Sequence, residues 1–152
     1  MTPSYFKLDQ KIDYLLKRVR DSEFDDLLRS HLANYVCILL SGLLETAIRE
    51  IISIHCESKT IPTISNFVKS RLEQFQNPDP ERIANLLASF DPKLKERLEN
   101  FWSGEVKDAI GSIVGNRHLI AHGRDTSLTL SRVSDWFAST RRLIVFIQSV
   151  YP

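Results

Sequence analysis

The sequence predicts an all-α protein, built as a four-helix bundle with additional short helices. Apolar residues recur at spacings of three and four along nearly the whole chain of 152 residues, and no two segments alternate as paired strands would. Hydrophobic residues make up 43% and charged residues 26% of the chain, which is typical of a globular domain. Because this length suits one ordinary domain, residues 1–152 are predicted to form a single helical domain.

The first two predicted helices differ in how much of their surface is apolar. Residues 5–20 form a surface helix with one apolar face, made of Leu8, Ile12, Leu15 and Val19. Ser22, followed by three acidic residues that suit a helix N-terminus, is predicted to begin a longer helix that reaches about His55. Its centre, residues 35–44, is apolar on every side, so we expect this helix to be surrounded by the others.

The middle of the chain is interrupted by proline. The segment from Ser58, SKTIPTIS, is predicted to be a loop because Pro62 and β-branched residues break the helical period. A helix over residues 64–76 then stops before Pro78. The next helix begins at Asp79 or Pro80, and a further one begins at Asp91.

Two longer helices complete the predicted bundle. One runs from about Glu105 to Gly123, where glycine can end a helix in the left-handed conformation. The last begins near Ser131 and carries an apolar stripe of Val133, Trp136, Phe137, Thr140, Ile144 and Ile147.

Arg117 breaks the apolar pattern of the helix that ends at Gly123. At about 100° per residue, a stripe facing the core contains Ile110, Ile113, Val114, Ile120 and Ala121. Arg117 is predicted near the middle of that stripe. A guanidinium stays charged, so in this position it needs either a partner, such as Glu45 or Asp108, or a cavity that is open to water.

Two histidines lie at the end of the same helix. His118 and His122 are four residues apart and therefore share a face. Arg117 and His122, by contrast, are about 140° apart on an ideal helix. They can meet over one substrate only if the helix end is loosened near Gly123 or if a second chain completes the site.

Charge and cysteine content restrict the classes of partner and compartment. The net charge of +1 excludes a global basic field, although residues 117–152 carry five Arg against two Asp. Any anion-binding site is therefore expected to be local. With only Cys37 and Cys56, a disulfide framework is not predicted, and the protein is expected to be cytoplasmic. The sequence has neither a signal-peptide pattern nor an apolar run long enough for a membrane span.

The segment GNRHLIAHG, residues 115–123, resembles the signature of the HEPN superfamily, an arginine followed after four to six residues by a histidine. Arg117 matches the arginine, His118 the polar residue that often follows it, and His122 the histidine. The Ser41, Gly42 and Glu45 stretch of the central helix is also similar to that of several prokaryotic families of this kind. The resemblance extends to a helical bundle of this size with the motif late in the chain.

The resemblance implies a metal-independent endoribonuclease without a cofactor, commonly a toxin or defence effector. Such an enzyme acts on RNA as a homodimer with both motifs in one cleft, and an inhibitory antitoxin-like protein is an expected partner. His122 is assigned as the base that takes the 2′-hydroxyl proton, and Arg117 as the group that stabilises the phosphate transition state. His118, Asn116 and Glu45 are assigned supporting roles.

Other functions compete with this assignment. Glu45 stands four residues before Arg49, which also fits a plain surface ion pair. His118 and His122 have the spacing of zinc ligands, but Leu119 stands where such a motif has its glutamate and no third ligand is evident. A HEPN-like module that binds RNA or protein without cutting is the main alternative. A helical antitoxin or oligomerisation module would leave Arg117 unexplained.

Overall fold

The computed structural model describes residues 2–152, so Met1 of the predicted domain lies outside the described residues. Within that range the chain is all-α and forms seven helices. The four longer ones are α1 (Ser4–Arg20), α2 (Asp26–Lys59), α6 (Glu105–Ala121) and α7 (Leu130–Val150). The three shorter ones are α3 (Pro62–Glu73), α4 (Pro80–Phe90) and α5 (Pro92–Trp102). The predicted fold class, a bundle of about four main helices with short additional ones, is therefore confirmed.

Helix α2 is the central helix, as predicted. It packs against α1, α3, α6 and α7, and it supplies more residues to the hydrophobic core than any other helix in the described chain. The prediction that residues 35–44 are enclosed on every side is wrong in one respect. Tyr35 and Ile38 are each 41% exposed, so the neighbouring helices cover that face of α2 only in part. An exposed apolar strip, made of Leu27, Tyr35 and Ile38, therefore remains along the N-terminal half of α2.

Local sequence determines where most helices begin. The side chains of Asp25, Asp79, Asp91 and Thr129 each accept a hydrogen bond from a backbone N–H of the helix that follows. These caps satisfy amide donors that have no partner within the first turn. The predicted starts at Asp79 or Pro80 and at Asp91 are confirmed. The predicted start of α2 at Ser22 is three residues too early, because Asp25 is the residue that caps the helix.

The loop predicted from Ser58 is also shorter than expected. Only Thr60 and Ile61 separate α2 from α3, and Pro62 occupies the first turn of α3. Proline is accepted there because the first-turn amide has no intrahelical acceptor to lose. Pro62 therefore starts a helix where the sequence pattern was interpreted as an interruption.

Candidate nucleic-acid interface at the end of α6

Helix α6 ends in a regular glycine cap. The N–H of Gly123 donates to the carbonyl of Ile120 at 3.0 Å, and the N–H of Arg124 donates to that of Leu119 at 2.9 Å. Gly123 has a φ of 66°, in the left-handed region that this pair of bonds requires. The predicted glycine stop is confirmed, and the helix is not loosened before Ala121. His122 therefore has a defined backbone position as the residue next to the cap.

The structure brings the two histidines together. The imidazole rings of His118 and His122 lie edge to face with their centroids 4.4 Å apart. Both side chains are exposed, so this pair forms part of the surface at the end of α6. The predicted shared face is confirmed.

The loop after the motif is held against α2. Thr126 donates its hydroxyl to Oδ1 of Asn34 at 2.5 Å, and Leu128 is buried in the core. The chain on both sides of His122 is thus anchored, on one side by α6 and on the other by these two contacts.

Arg117 lies on the protein surface, and its predicted place in the core-facing stripe is wrong. Ile110 and Ile113 are fully buried, whereas Arg117 and Ala121 are exposed. In the last turns of α6 only part of the predicted stripe faces protein, because Ile120 is half-buried against the core whereas Arg117 and Ala121 face solvent. The charged guanidinium of Arg117 therefore remains hydrated and has no desolvation cost.

The acidic partners considered for Arg117 do not pair with it. Glu45 forms its ion pair with Arg49 of the same helix, with an N–O distance of 3.1 Å. Within residues 2–152, no carboxylate oxygen lies within salt-bridge distance of the Arg117 guanidinium, including those of Glu45 and Asp108. Nη1 of Arg117 instead donates to Oδ1 of Asn77 at 3.3 Å. The positive charge of Arg117 is thus not neutralised by an acidic neighbour in the described chain.

The sequence model of the RiboL-PSP-HEPN family matches residues 4–150, which is nearly the whole chain. The protein belongs to this HEPN family. Membership indicates an RNA-related function, since the superfamily includes many ribonucleases. Comparisons with curated proteins and with solved structures gave no match.

Asn77 is the residue of this HEPN domain that the sequence analysis missed. It lies between α3 and α4 and is the one non-glycine residue with a positive φ, 51°, in the described chain. Asparagine tolerates this conformation better than most residues. The sequence signal is the segment NPDP, which predicted only the stop before Pro78 and the start of the next helix at Asp79 or Pro80.

The other two supporting residues of the HEPN motif have local partners. Asn116 is half-buried, and its Nδ2 donates to the carbonyl of Ser112 at 2.8 Å, which leaves its Oδ1 as the free atom. Glu45 acts on Arg49, whose guanidinium donates to the carbonyls of Glu73 and Phe75. Glu45 thus reaches the segment that carries Asn77 through Arg49, and has no direct contact with Arg117.

Among residues 2–152, no cluster of three or more His, Cys, Asp or Glu side chains is arranged to hold a metal ion. None of the helices formed by those residues has both the length and the apolar character needed to cross a lipid bilayer.

Proposed function

We propose that this HEPN protein is a cytoplasmic, metal-independent endoribonuclease that acts as a toxin or antiphage defence effector. The observation that carries the proposal is the exposure of both motif residues, Arg117 and His122, at the regular end of α6. A guanidinium without an acidic partner is available to phosphate oxygens. An exposed imidazole is available to a ribose hydroxyl.

The proposed reaction needs only these two side-chain types. The imidazole of His122 removes the 2′-hydroxyl proton, and the resulting oxygen attacks the adjacent phosphorus. The bond from phosphorus to the 5′-oxygen breaks, that oxygen takes up a proton, and the products are a 2′,3′-cyclic phosphate and a 5′-hydroxyl. Arg117 stabilises the negative charge that develops on the phosphoryl oxygens. DNA lacks the 2′-hydroxyl and is not cleaved.

We also propose that two copies of the chain form the active site. Because α6 remains regular through Ala121, Arg117 and His122 project about 140° apart within one chain. A second motif in the same cleft would supply an arginine to the first histidine, and its own His122 would protonate the leaving oxygen. The exposed apolar strip of α2, with Leu27 69% and Ile38 41% exposed, offers a surface for the second copy.

The enzymatic proposal is tested with purified protein, RNA and a metal chelator. Wild type is expected to cleave RNA and not DNA, with cyclic phosphate ends detected by mass spectrometry. Arg117→Ala and His122→Ala should each lose at least about a hundredfold in rate, the lower range for an acid–base group. Arg142→Ala and His55→Ala are the matched controls, since both lie outside the motif, and they should retain activity. Loss of cleavage in the controls alone would exclude the assigned residues.

Mixing inactive variants tests the two-chain site. Purified Arg117→Ala and His122→Ala proteins, mixed and allowed to exchange subunits, should recover part of the wild-type rate if the motifs share one cleft. The same mixture should sediment as a dimer. A chain that sediments as a monomer while fully active would contradict this part of the proposal.

The alternative of a non-catalytic HEPN module has one observation in its favour. Arg117 already has a partner in Asn77, and His122 projects towards a different side of α6. Such a module would bind RNA or a protein without cutting. Equal RNA binding by wild type and His122→Ala, with no cleavage by either, would favour it.

An inhibitory, antitoxin-like protein completes the toxin proposal. Expression of wild type in bacteria is expected to arrest growth, whereas His122→Ala is tolerated at the same protein level. Co-expression of the gene next to that of the protein should relieve the arrest. Equal growth with both variants would contradict the toxin role and leave the in vitro cleavage test unaffected.

A further inference from the structure

Asn77 presents a side-chain oxygen to Arg117 from an unusual backbone conformation. Its φ of 51° lies in the left-handed region. Its carbonyl accepts a hydrogen bond from the N–H of Asp79 at 2.7 Å, and Asp79 in turn caps α4. The next residue, Pro78, is buried. These contacts fix the backbone that carries the Asn77 amide.

The segment before Asn77 is held from a different helix. Nε of Arg49, on α2, donates to the carbonyl of Phe75 at 2.9 Å, and its Nη2 donates to that of Glu73 at 3.1 Å. The carboxylate of Glu45 forms an ion pair with the same guanidinium. Arg49 therefore connects the central helix to Glu73, the last residue of α3, and to Phe75, two residues before Asn77.

We infer that Asn77 is the positioning residue for the Arg117 guanidinium, an inference that rests on the proposed ribonuclease function. A free arginine side chain on a surface samples many rotamers, and phosphate binding has to restrict them. The Asn77 oxygen uses one of the five N–H donors of Arg117 and leaves the others for phosphate oxygens. Because the backbone on both sides of Asn77 is held, only the two side-chain torsions of Asn77 separate its oxygen from an anchored segment.

The left-handed conformation of Asn77 makes a clean variant possible. Asn77→Gly removes the oxygen, while glycine adopts a positive φ without strain and so preserves the turn. Asn77→Asp retains an acceptor in the same conformation. Gln76→Ala is the matched control, because Gln76 is exposed and only its backbone carbonyl is bonded, to Arg82.

Two readouts test the inference on the full chain. The first is the rate of rotation about the Nε–Cζ bond of Arg117, measured without RNA by nitrogen-15 exchange NMR spectroscopy. The Arg117 signal is assigned by its absence in the Arg117→Lys variant. The rate should rise severalfold in Asn77→Gly, remain unchanged in Gln76→Ala and not rise in Asn77→Asp, whose carboxylate is a stronger acceptor. The second is steady-state cleavage of RNA. Asn77→Gly should lower kcat roughly threefold to tenfold, with KM within about twofold, as expected for the loss of one hydrogen bond to a charged group at the surface.

The outcomes separate this inference from the proposed function. An unchanged rate of rotation in Asn77→Gly would overturn the positioning role of Asn77. An unchanged kcat in an active Asn77→Gly enzyme would overturn it as well. An increased kcat would also do so, because it would show that the contact with Asn77 keeps Arg117 away from the phosphate. Rotation that rises as much in Asn77→Asp as in Asn77→Gly would also contradict that role, because the aspartate retains an acceptor. A wild-type protein that cleaves no RNA would refute the ribonuclease proposal. If rotation of Arg117 were still slow in that protein, the contact with Asn77 would exist but would have no catalytic role.

Discussion

The imidazole of His118 packs edge to face against that of His122, with the ring centroids 4.4 Å apart. In the ribonuclease proposal only His122 exchanges a proton with substrate, and His118 restricts the orientation of its ring. His122→Ala should reduce the cleavage rate by about 10²- to 10⁴-fold, whereas His118→Ala should reduce it by no more than about tenfold. Single-turnover rates of both variants check this. Losses of equal size would show that His118 has its own role in the chemistry.

The glycine cap predicts opposite effects of alanine at two glycines of the motif segment. Gly123→Ala should lower the free energy of unfolding by about 1 kcal/mol, because alanine is strained at a φ of 66°. Gly115→Ala should raise it by roughly 0.5–1 kcal/mol, since Gly115 lies inside α6 with open space at its Cβ position. Urea unfolding measures both. A loss of stability with Gly115→Ala would contradict the exposed, regular helix described at that position.

Helices α1 and α7 are joined by Arg141. Its Nε and Nη2 donate to the two carboxylate oxygens of Asp9 at 2.9 and 2.7 Å, and its guanidinium lies 4.0 Å from the centre of the Phe137 ring. Arg141→Ala should cost about 1 kcal/mol of unfolding free energy, the upper range for an exposed ion pair, because two kinds of contact are lost.

Arg142→Ala provides the control for this ion pair. Arg142 is exposed, and within the described residues it forms no ion pair, so its replacement should change stability by less than about 0.5 kcal/mol. Most of the Arg141 effect should disappear at high salt, where exposed charges are screened. Equal effects of both variants would contradict a specific link between α1 and α7.

Cys37 is predicted to be chemically inert in the folded protein. Burial raises the pKa of its thiol from 9.0 to about 12, and the Sγ donates to the carbonyl of Ile113 at 3.5 Å. At pH 8 a thiol reagent should therefore modify Cys37 only at the rate of global unfolding. Cys56, which is 8% exposed, should react earlier. Cys56→Ser and Cys37→Ser isolate the two reactions.

The raised pKa of Cys37 also predicts a dependence of stability on pH. Above about pH 8.5 the thiol of the unfolded chain loses its proton, while the folded one keeps it. The unfolded state then binds fewer protons, so the free energy of unfolding falls as the pH rises. Urea titrations between pH 7 and 10 should show a shallower fall in Cys37→Ser than in wild type. An identical slope would argue against a buried, protonated thiol.

The residues at the end of α6 show what helical periodicity can predict about a site and what it cannot. His118 and His122 share a face because both lie on one regular helix, and this could be predicted from spacing alone. The place of Arg117 could not. Periodicity indicates which residues point in the same direction, but not which part of that face the neighbouring helices cover. Arg117 has the angular position of the apolar stripe and is nevertheless exposed, while Ile120, further along α6, packs against the core.

Asn77 shows a second limit of the sequence. It is forty residues before Arg117, and their contact depends on how the segment between α3 and α4 packs beside the end of α6. Arg49, on a third helix, holds that segment through backbone carbonyls, which any residue type supplies. A contact made through carbonyls leaves no signal in the amino-acid sequence.

The sequence by itself determined the all-α class, the capped starts of α4 and α5, the glycine stop at Gly123 and the Arg117–His122 motif that pointed to the HEPN family. These features depend on local physics, since periodicity, capping and backbone preference act within a few residues. Tertiary structure decided that Arg117 is exposed and that Asn77 is its partner. Those outcomes depend on packing between distant segments, which local sequence does not encode.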